Sequence, residues 1–175
     1  MAIENSALIK ALLNNDGAAH ALSGIAAGGA SGGAGTGVFI HMYAGTTPVS
    51  ADDALAIGTT HTYLGTISAN AGGTTGGTFL AVVSTPATGV VSTGVLAKNS
   101  GEIWSTAALA ASGTWSFARM GALSAHASVE GSNSATPILQ LSVAQAGQPP
   151  SDINLSSSAL TSGSTFTLDN FQLDI

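Results

Sequence analysis

VFIHMYAG, residues 38–45, changes the period of the chain. Val38, Ile40 and Met42 fall on one side of an extended strand and Phe39, His41 and Tyr43 on the other, and Gly45 to Pro48 reads as the turn that ends it. Before it the pattern is different. In ENSALIKALLNNDG, residues 4–17, taken with the Ile3 before it, the apolar residues Ile3, Ala7, Leu8, Ala11 and Leu12 recur at spacings of three and four, and Gly17 after Asp16 is a stop signal. This predicts a helix of about three turns. Alone it is marginal in water, so its apolar stripe must dock on its own domain or on a neighbouring chain. SGIAAGGASGGAGTG, residues 23–37, is nearly free of bulky side chains and reads as a linker. A flexible chain of that length spans on the order of 20 Å, enough to carry the helix across a subunit boundary.

Downstream, TYLGTI (62–67), TFLAVV (78–83), VVSTGVLA (90–97), TWSFARM (114–120), ILQLSV (138–143), DINLS (152–156) and STFTLDNFQLDI (164–175) are further strand candidates, separated by clusters of Gly, Pro, Asn and Ser. With VFIHMYAG these make eight short strands at near-regular spacing. The expected fold is mostly β, an antiparallel two-sheet sandwich of jelly-roll type, with a short N-terminal helix on a Gly-rich linker. The expected organisation is a helical arm over 1–22, the linker over 23–37 and the sandwich over 38–175. The last strand contains an irregularity. Phe166 and Leu168 share one parity, whereas Phe171, Leu173 and Ile175 share the other. Either a β-bulge near Asp169 and Asn170 realigns the faces, or the chain leaves one sheet there and joins the other. Both readings use Ile175 for packing.

Composition narrows the function classes. Three cations (Lys10, Lys98, Arg119) and nine acids make 7% charged residues in 175, against about 25% in ordinary soluble domains. A surface built from Ser, Thr, Gly, Ala and Asn suggests that other subunits cover much of it; the plainer alternative is a β domain of the secreted type. A net charge of −6 leaves no basic patch to neutralise phosphates, so nucleic acid is not an expected partner. The absence of Cys removes disulfides and thiolate metal sites. No apolar run reaches the roughly 18 residues of a membrane span, and Glu4 stands where an export signal would carry positive charge. Neither a membrane anchor nor an export signal is expected.

The residues that could carry chemistry are few. His20, His41, His61 and His126 form no H-x-H or H-x-x-x-H pair, so they read as scattered surface or core histidines rather than zinc ligands. Asp52 and Asp53 are the only adjacent acids, too few for a calcium site, and read as a solvated turn before Leu55. There is no G-x-S-x-G elbow, and the G-x-G patterns of 28–37 follow no strand, open no helix and lack a lysine. Glu102 and Glu130 are the acids that a polysaccharide hydrolase would have to bring together, and no feature of the sequence does so. No catalytic residue, cofactor or metal is expected. Trp104 and Trp115 read as core or subunit-interface anchors, with a sugar-stacking platform as the alternative.

Taken in order, FIHMYAGTTPVSADDALAIGTTHTYLGTI (39–67), GEIWSTAALAASGTWSFARM (101–120) and LQLSVAQAGQPPSDINLSSSALTSGSTFTLDNFQLDI (139–175) resemble a family of tailed-bacteriophage virion proteins. The shared pattern is a strand ending in a small-residue turn with Pro, a GT-x-L-x-T-I strand, a Trp followed by A-x-GT and an F-x-R strand, and a closing Leu-rich segment. The resemblance covers about residues 38–175. It implies a jelly-roll sandwich that decorates or cements the outer surface of a capsid, made in the bacterial host cytoplasm and located on the virion. The implied partners are the major capsid protein and further copies of the chain, as a dimer or trimer. Ile3, Leu8, Ile9 and Leu12 of the arm, with Trp104 and Trp115, are the expected contact residues. The alternative is a tail or fibre component that binds a host surface glycan. Residues 23–37, GQPPSD (147–152) and HASVEGSNSATP (126–137) depart from the pattern, which places the differences in the arm and loops, where such a protein meets its partner.

Overall fold

The computed structural model describes residues 4–5, 38–69, 76–77, 79–82, 95–121, 124–131, 138–145, 152–155 and 157–174. These residues form thirteen strands and one 3-10 turn. In chain order the strands are β1 (Glu4–Asn5), β2 (Phe39–Gly45), β3 (His61–Ala69), β4 (Phe79–Val82), β5 (Val95–Lys98), β6 (Trp104–Thr106), β7 (Gly113–Thr114), β8 (Phe117–Gly121), β9 (Leu139–Gln145), β10 (Ile153–Leu155), β11 (Ala159–Leu160), β12 (Thr167–Leu168) and β13 (Gln172–Asp174). The 3-10 turn is His126–Val129. The protein is therefore mostly β, with almost no helix among the described residues. Its main sheet has the order β1-β9-β8-β2-β3-β6-β12, with β10 added to β9; β4, β5 and β13 form a second, three-stranded sheet, and β7 pairs with β11. Every pairing is antiparallel except that of β10 with β9.

β2 lies at the centre of the main sheet, and its alternation explains why. Val38, Ile40 and Met42 enter one core with Leu64, Ile67, Trp104, Trp115, Met120 and Leu141. On the opposite face Tyr43 packs with Ala51, Leu55, Phe117, Val129 and Ile138. Both faces are occupied, so residues 38–43 are all buried. Cross-strand neighbours keep the parity: Ile40 pairs with Met120 and His41 with Arg119. The second face is roofed by the loop after β2 and by the 3-10 turn, which are joined where the Leu55 N–H donates to the Glu130 carbonyl at 2.6 Å.

The irregular C-terminal stretch resolves in favour of a change of sheet. Thr167 and Leu168 pair with Ser105 and Trp104 in the main sheet, whereas Gln172 to Asp174 pair with Ala97 to Val95 in the three-stranded sheet. Leu168 and Phe171 both remain in the main core, on either side of exposed Asp169 and Asn170. They stand three positions apart because the chain crosses between sheets, and an uninterrupted period of two would turn one of them outward.

The N-terminus differs from expectation. Glu4 and Asn5, placed by spacing in the first turn of a helix, form instead a two-residue strand paired with Gln140 and Leu139. The unpaired edge of β9 offers backbone donors and acceptors that a marginal helix end does not. The rest of the predicted helix, the linker and Ile175 lie outside the described residues.

Candidate functional site

Five strand residues and the two segments roofing the sheet build a polar cluster on the second face. It begins at an irregularity in β3. Met42 pairs with Gly65 and Tyr43 with Tyr63, so Leu64 is an extra residue. The bulge sends Leu64 into the main core and leaves Tyr63 and Thr66 together on the other side. Tyr63 Oη and Thr66 Oγ1 are 2.7 Å apart, and Thr66 Oγ1 is 2.7 Å from His41 Nδ1. The Tyr63 ring stacks on the His126 imidazole with centroids 3.8 Å apart, and His126 Nδ1 lies 2.6 Å from Glu130 Oε1.

Deeper in the same layer, Arg119 is wholly buried. Its guanidinium donates to the Val129 carbonyl and to the Asp53 carbonyl, each at 2.6 Å. One side chain thus fastens both roofing segments to the sheet. Burial lowers its pKa, opposed by the negative potentials of Asp53, Asp52 and Glu130 and by Tyr43. Burial, then the Glu130 carboxylate, pushes the Tyr43 phenol far up; its hydroxyl is buried and meets hydrogen-bond geometry with no neighbour. Tyr63 is also raised, first by burial, with the Thr66 hydrogen bond acting the other way.

Beside this cluster the sheet opens. β3 and the segment after β6 are joined at Ile67 and Thr106 and again where the Ala110 N–H donates to the Leu64 carbonyl at 2.8 Å. The two segments, with Ser124, line a depression of 210 Å3. Tyr63, Thr66, Ser68 and Ser124 supply hydroxyls to its lining and Ala107, Ala108 and Ala110 supply methyls. Among the described residues no charged side chain lines it.

The residues singled out in the sequence have other places. Trp104 and Trp115 are each 1% exposed. Trp104 Nε1 donates to Glu102 Oε2 at 2.7 Å and Trp115 Nε1 to the Phe117 carbonyl at 2.9 Å. Trp104 packs near Phe171 and Trp115 edge-on to Phe166. Both indoles serve the chain's own core, and neither presents a ring face to a sugar or a partner. Ile3, Leu8, Ile9 and Leu12 lie outside the described residues, as does His20. His61 accepts from the Ala56 N–H through Nδ1, at 3.0 Å, and its Nε2 reaches the Thr46 carbonyl at 2.9 Å, which ties the loop back to β3. Asp53 Oδ2 accepts from the Ser50 N–H at 2.9 Å, closing the turn before Leu55. Glu102 is engaged by Trp104 and Glu130 by His126, on separate loops. Among the described residues no three His, Cys, Asp or Glu side chains gather as a metal site.

Sequence reasoning passed over Tyr63, Thr66, Ser124 and Arg119. One signal was present: Gly65 interrupts a strand, and an isolated glycine there marks a bulge. No protein-family model, no curated protein and no solved structure matches the chain.

Proposed function

We propose that the chain is a non-enzymatic structural protein of a tailed-phage particle that decorates the outer capsid surface and clamps neighbouring capsid subunits. The observation that carries this reading is the scarcity of surface charge. Of three cations in 175 residues, Arg119 is buried, and Lys98 donates to the Asn99 and Glu102 carbonyls at 3.3 and 2.6 Å. A surface with so few fixed charges is easily desolvated, which favours repeated contacts with neighbours and disfavours a polyanion such as nucleic acid. Symmetry multiplies a modest interface over a shell, so no single contact needs to be strong. The ordered resemblance over 38–175 and the arm ahead of it support the same reading. The two-layer jelly roll belongs to this proposal, as do the major capsid protein and a dimer or trimer of this chain as partners.

A fibre role through stacked tryptophans is less favoured, because both indoles are buried. The deciding experiment is the copy number of the chain per purified particle, by quantitative mass spectrometry against the major capsid protein. A ratio of one per capsid subunit, or a simple fraction of it, is expected. A dozen copies or fewer would place the chain in the tail and remove the decoration reading.

A further inference from the structure

We infer that the depression between β3 and the segment following β6 is a binding site for one neutral, polyhydroxylated ring, of the size of a single hexopyranose. The inference goes beyond capsid attachment and does not depend on it. Three properties of the site select the ligand. The first is size: 210 Å3 lies below the roughly 300–1,000 Å3 of sites that enclose a drug-sized molecule, so one small ring fills it.

The second is charge. The lining holds hydroxyls, alanine methyls and backbone, with neither a cation nor an anion among the side chains of the described residues. A carboxylate, phosphate or ammonium entering it would lose water without gaining a countercharge, whereas a neutral polyol loses far less. The third is the distribution of hydrogen-bonding capacity. A hydroxyl offers one donor and two acceptor positions. Thr66 Oγ1 uses two of these, towards Tyr63 and His41, and the Tyr63 hydroxyl retains capacity beyond its bond to Thr66. His41 bonds Thr66 Oγ1 as well, so the two lining hydroxyls of Tyr63 and Thr66 are held in one hydrogen-bonded chain at the depression. Ser124, an exposed lining residue from outside β3 and β6, adds a further hydroxyl. The methyls of Ala107, Ala108 and Ala110 offer the apolar surface that the C–H face of a pyranose requires. One face of the Tyr63 ring is already taken by His126, so Tyr63 contributes its hydroxyl and edge rather than a stacking platform.

With few bonds and no charge, affinity falls in the millimolar range, which suits saturation-transfer NMR. Irradiating the methyl region of the full-length protein saturates the alanines that line the site. The probes are glucose, galactose, mannose and N-acetylglucosamine, each as the free sugar and as its methyl glycoside, with glucuronate as the charged comparison. Transfer to the ring protons of at least one neutral sugar is expected. Ala108→Trp fills the depression from an exposed position and should weaken binding about tenfold or more, whereas Tyr63→Phe, removing one hydrogen bond, should weaken it about three- to tenfold. Ser124→Val, on the exposed wall, is the substitute if Ala108→Trp does not fold. Binding of the methyl glycoside identifies the ligand as the terminal unit of a glycan; binding of the reducing sugar alone identifies a free monosaccharide. No transfer to any neutral sugar, transfer undiminished in the variants, or glucuronate binding as tightly as glucose would each overturn the inference.

Discussion

Arg119 shows what one residue does when a fold of low charge buries a cation. Its fork holds the carbonyls of Val129 and Asp53, so Arg119→Met leaves the buried Val129 carbonyl and the part-buried Asp53 carbonyl without their donor and should cost about 1–3 kcal/mol in urea unfolding. A midpoint unchanged from the parent would show that water replaces the guanidinium. Gly77 is constrained by a ring. Reciprocal bonds of 2.8 Å with Val38 fix its backbone, and a Cβ there would stand 2.0 Å from the Trp104 indole. Gly77→Ala should therefore destabilise by about 1–3 kcal/mol and alter the near-ultraviolet dichroism of Trp104. The two tyrosines make alkaline behaviour simple. Both have pKa values raised from the usual 10.0 in the folded chain. The unfolded chain thus releases their protons first, and stability is full below about pH 10 and falls as pH rises above it. Tyrosinate absorbance should appear together with loss of structure, and ionisation of both phenols near pH 10 in a chain that remains folded would contradict their burial.

At the scale of elements, the C-terminal crossing is the feature most open to test. If Leu168 and Phe171 each belong to the main core across a change of sheet, deleting Asn170 shortens their span by about 3.3 Å and pulls one of them out. A loss of about 2–4 kcal/mol is expected. A bulge within one continuous strand would instead tolerate the deletion, since removing the extra residue restores the alternation. The parallel strand β10 depends on a smaller device. Asp152 Oδ2 accepts from the N–H and the hydroxyl of Ser142 at 2.7 and 2.8 Å, anchoring the strand's start on the edge of β9. Among the described residues the main sheet ends on β1 and β10 beside β9 and on β12, each two or three residues long, and edges that short offer little template for unwanted pairing.

For the whole molecule, the arm and the β domain should separate in their effects. Of residues 1–22 only Glu4 and Asn5 are described, paired with β9 as β1; if the remainder is the separate arm expected from the sequence, deleting 1–22 should change stability by no more than about 1–2 kcal/mol. Under the proposed function it should lower the occupancy of particles by the chain. Full occupancy by the truncated protein would remove the arm from the attachment. The bridging role of the low-charge surface would then rest on the β domain alone.

Period and punctuation in the sequence determined that the chain is mostly β and that β2 divides two apolar faces, because alternation is a local property of the backbone that needs no partner to be read. Most of the strand candidates correspond to observed strands for the same reason. WST at β6 and AL at β11 were illegible, since two or three residues carry no period. The slip near Asp169 was visible in the sequence, but its meaning was not: a bulge and a change of sheet give the same parity, and only the partners of β12 and β13 distinguish them. Trp104 and Trp115 posed the same problem, because a large amphipathic ring suits a core and an interface equally until its surroundings are known. The tertiary structure alone brought Tyr63, Thr66 and Ser124 to one depression and Arg119 under two loops. Tyr63 and Thr66 are neighbours in β3, but Ser124 and Arg119 lie far from them in the chain, and what assembles the set is the packing of a roof onto a sheet, which residue types do not encode.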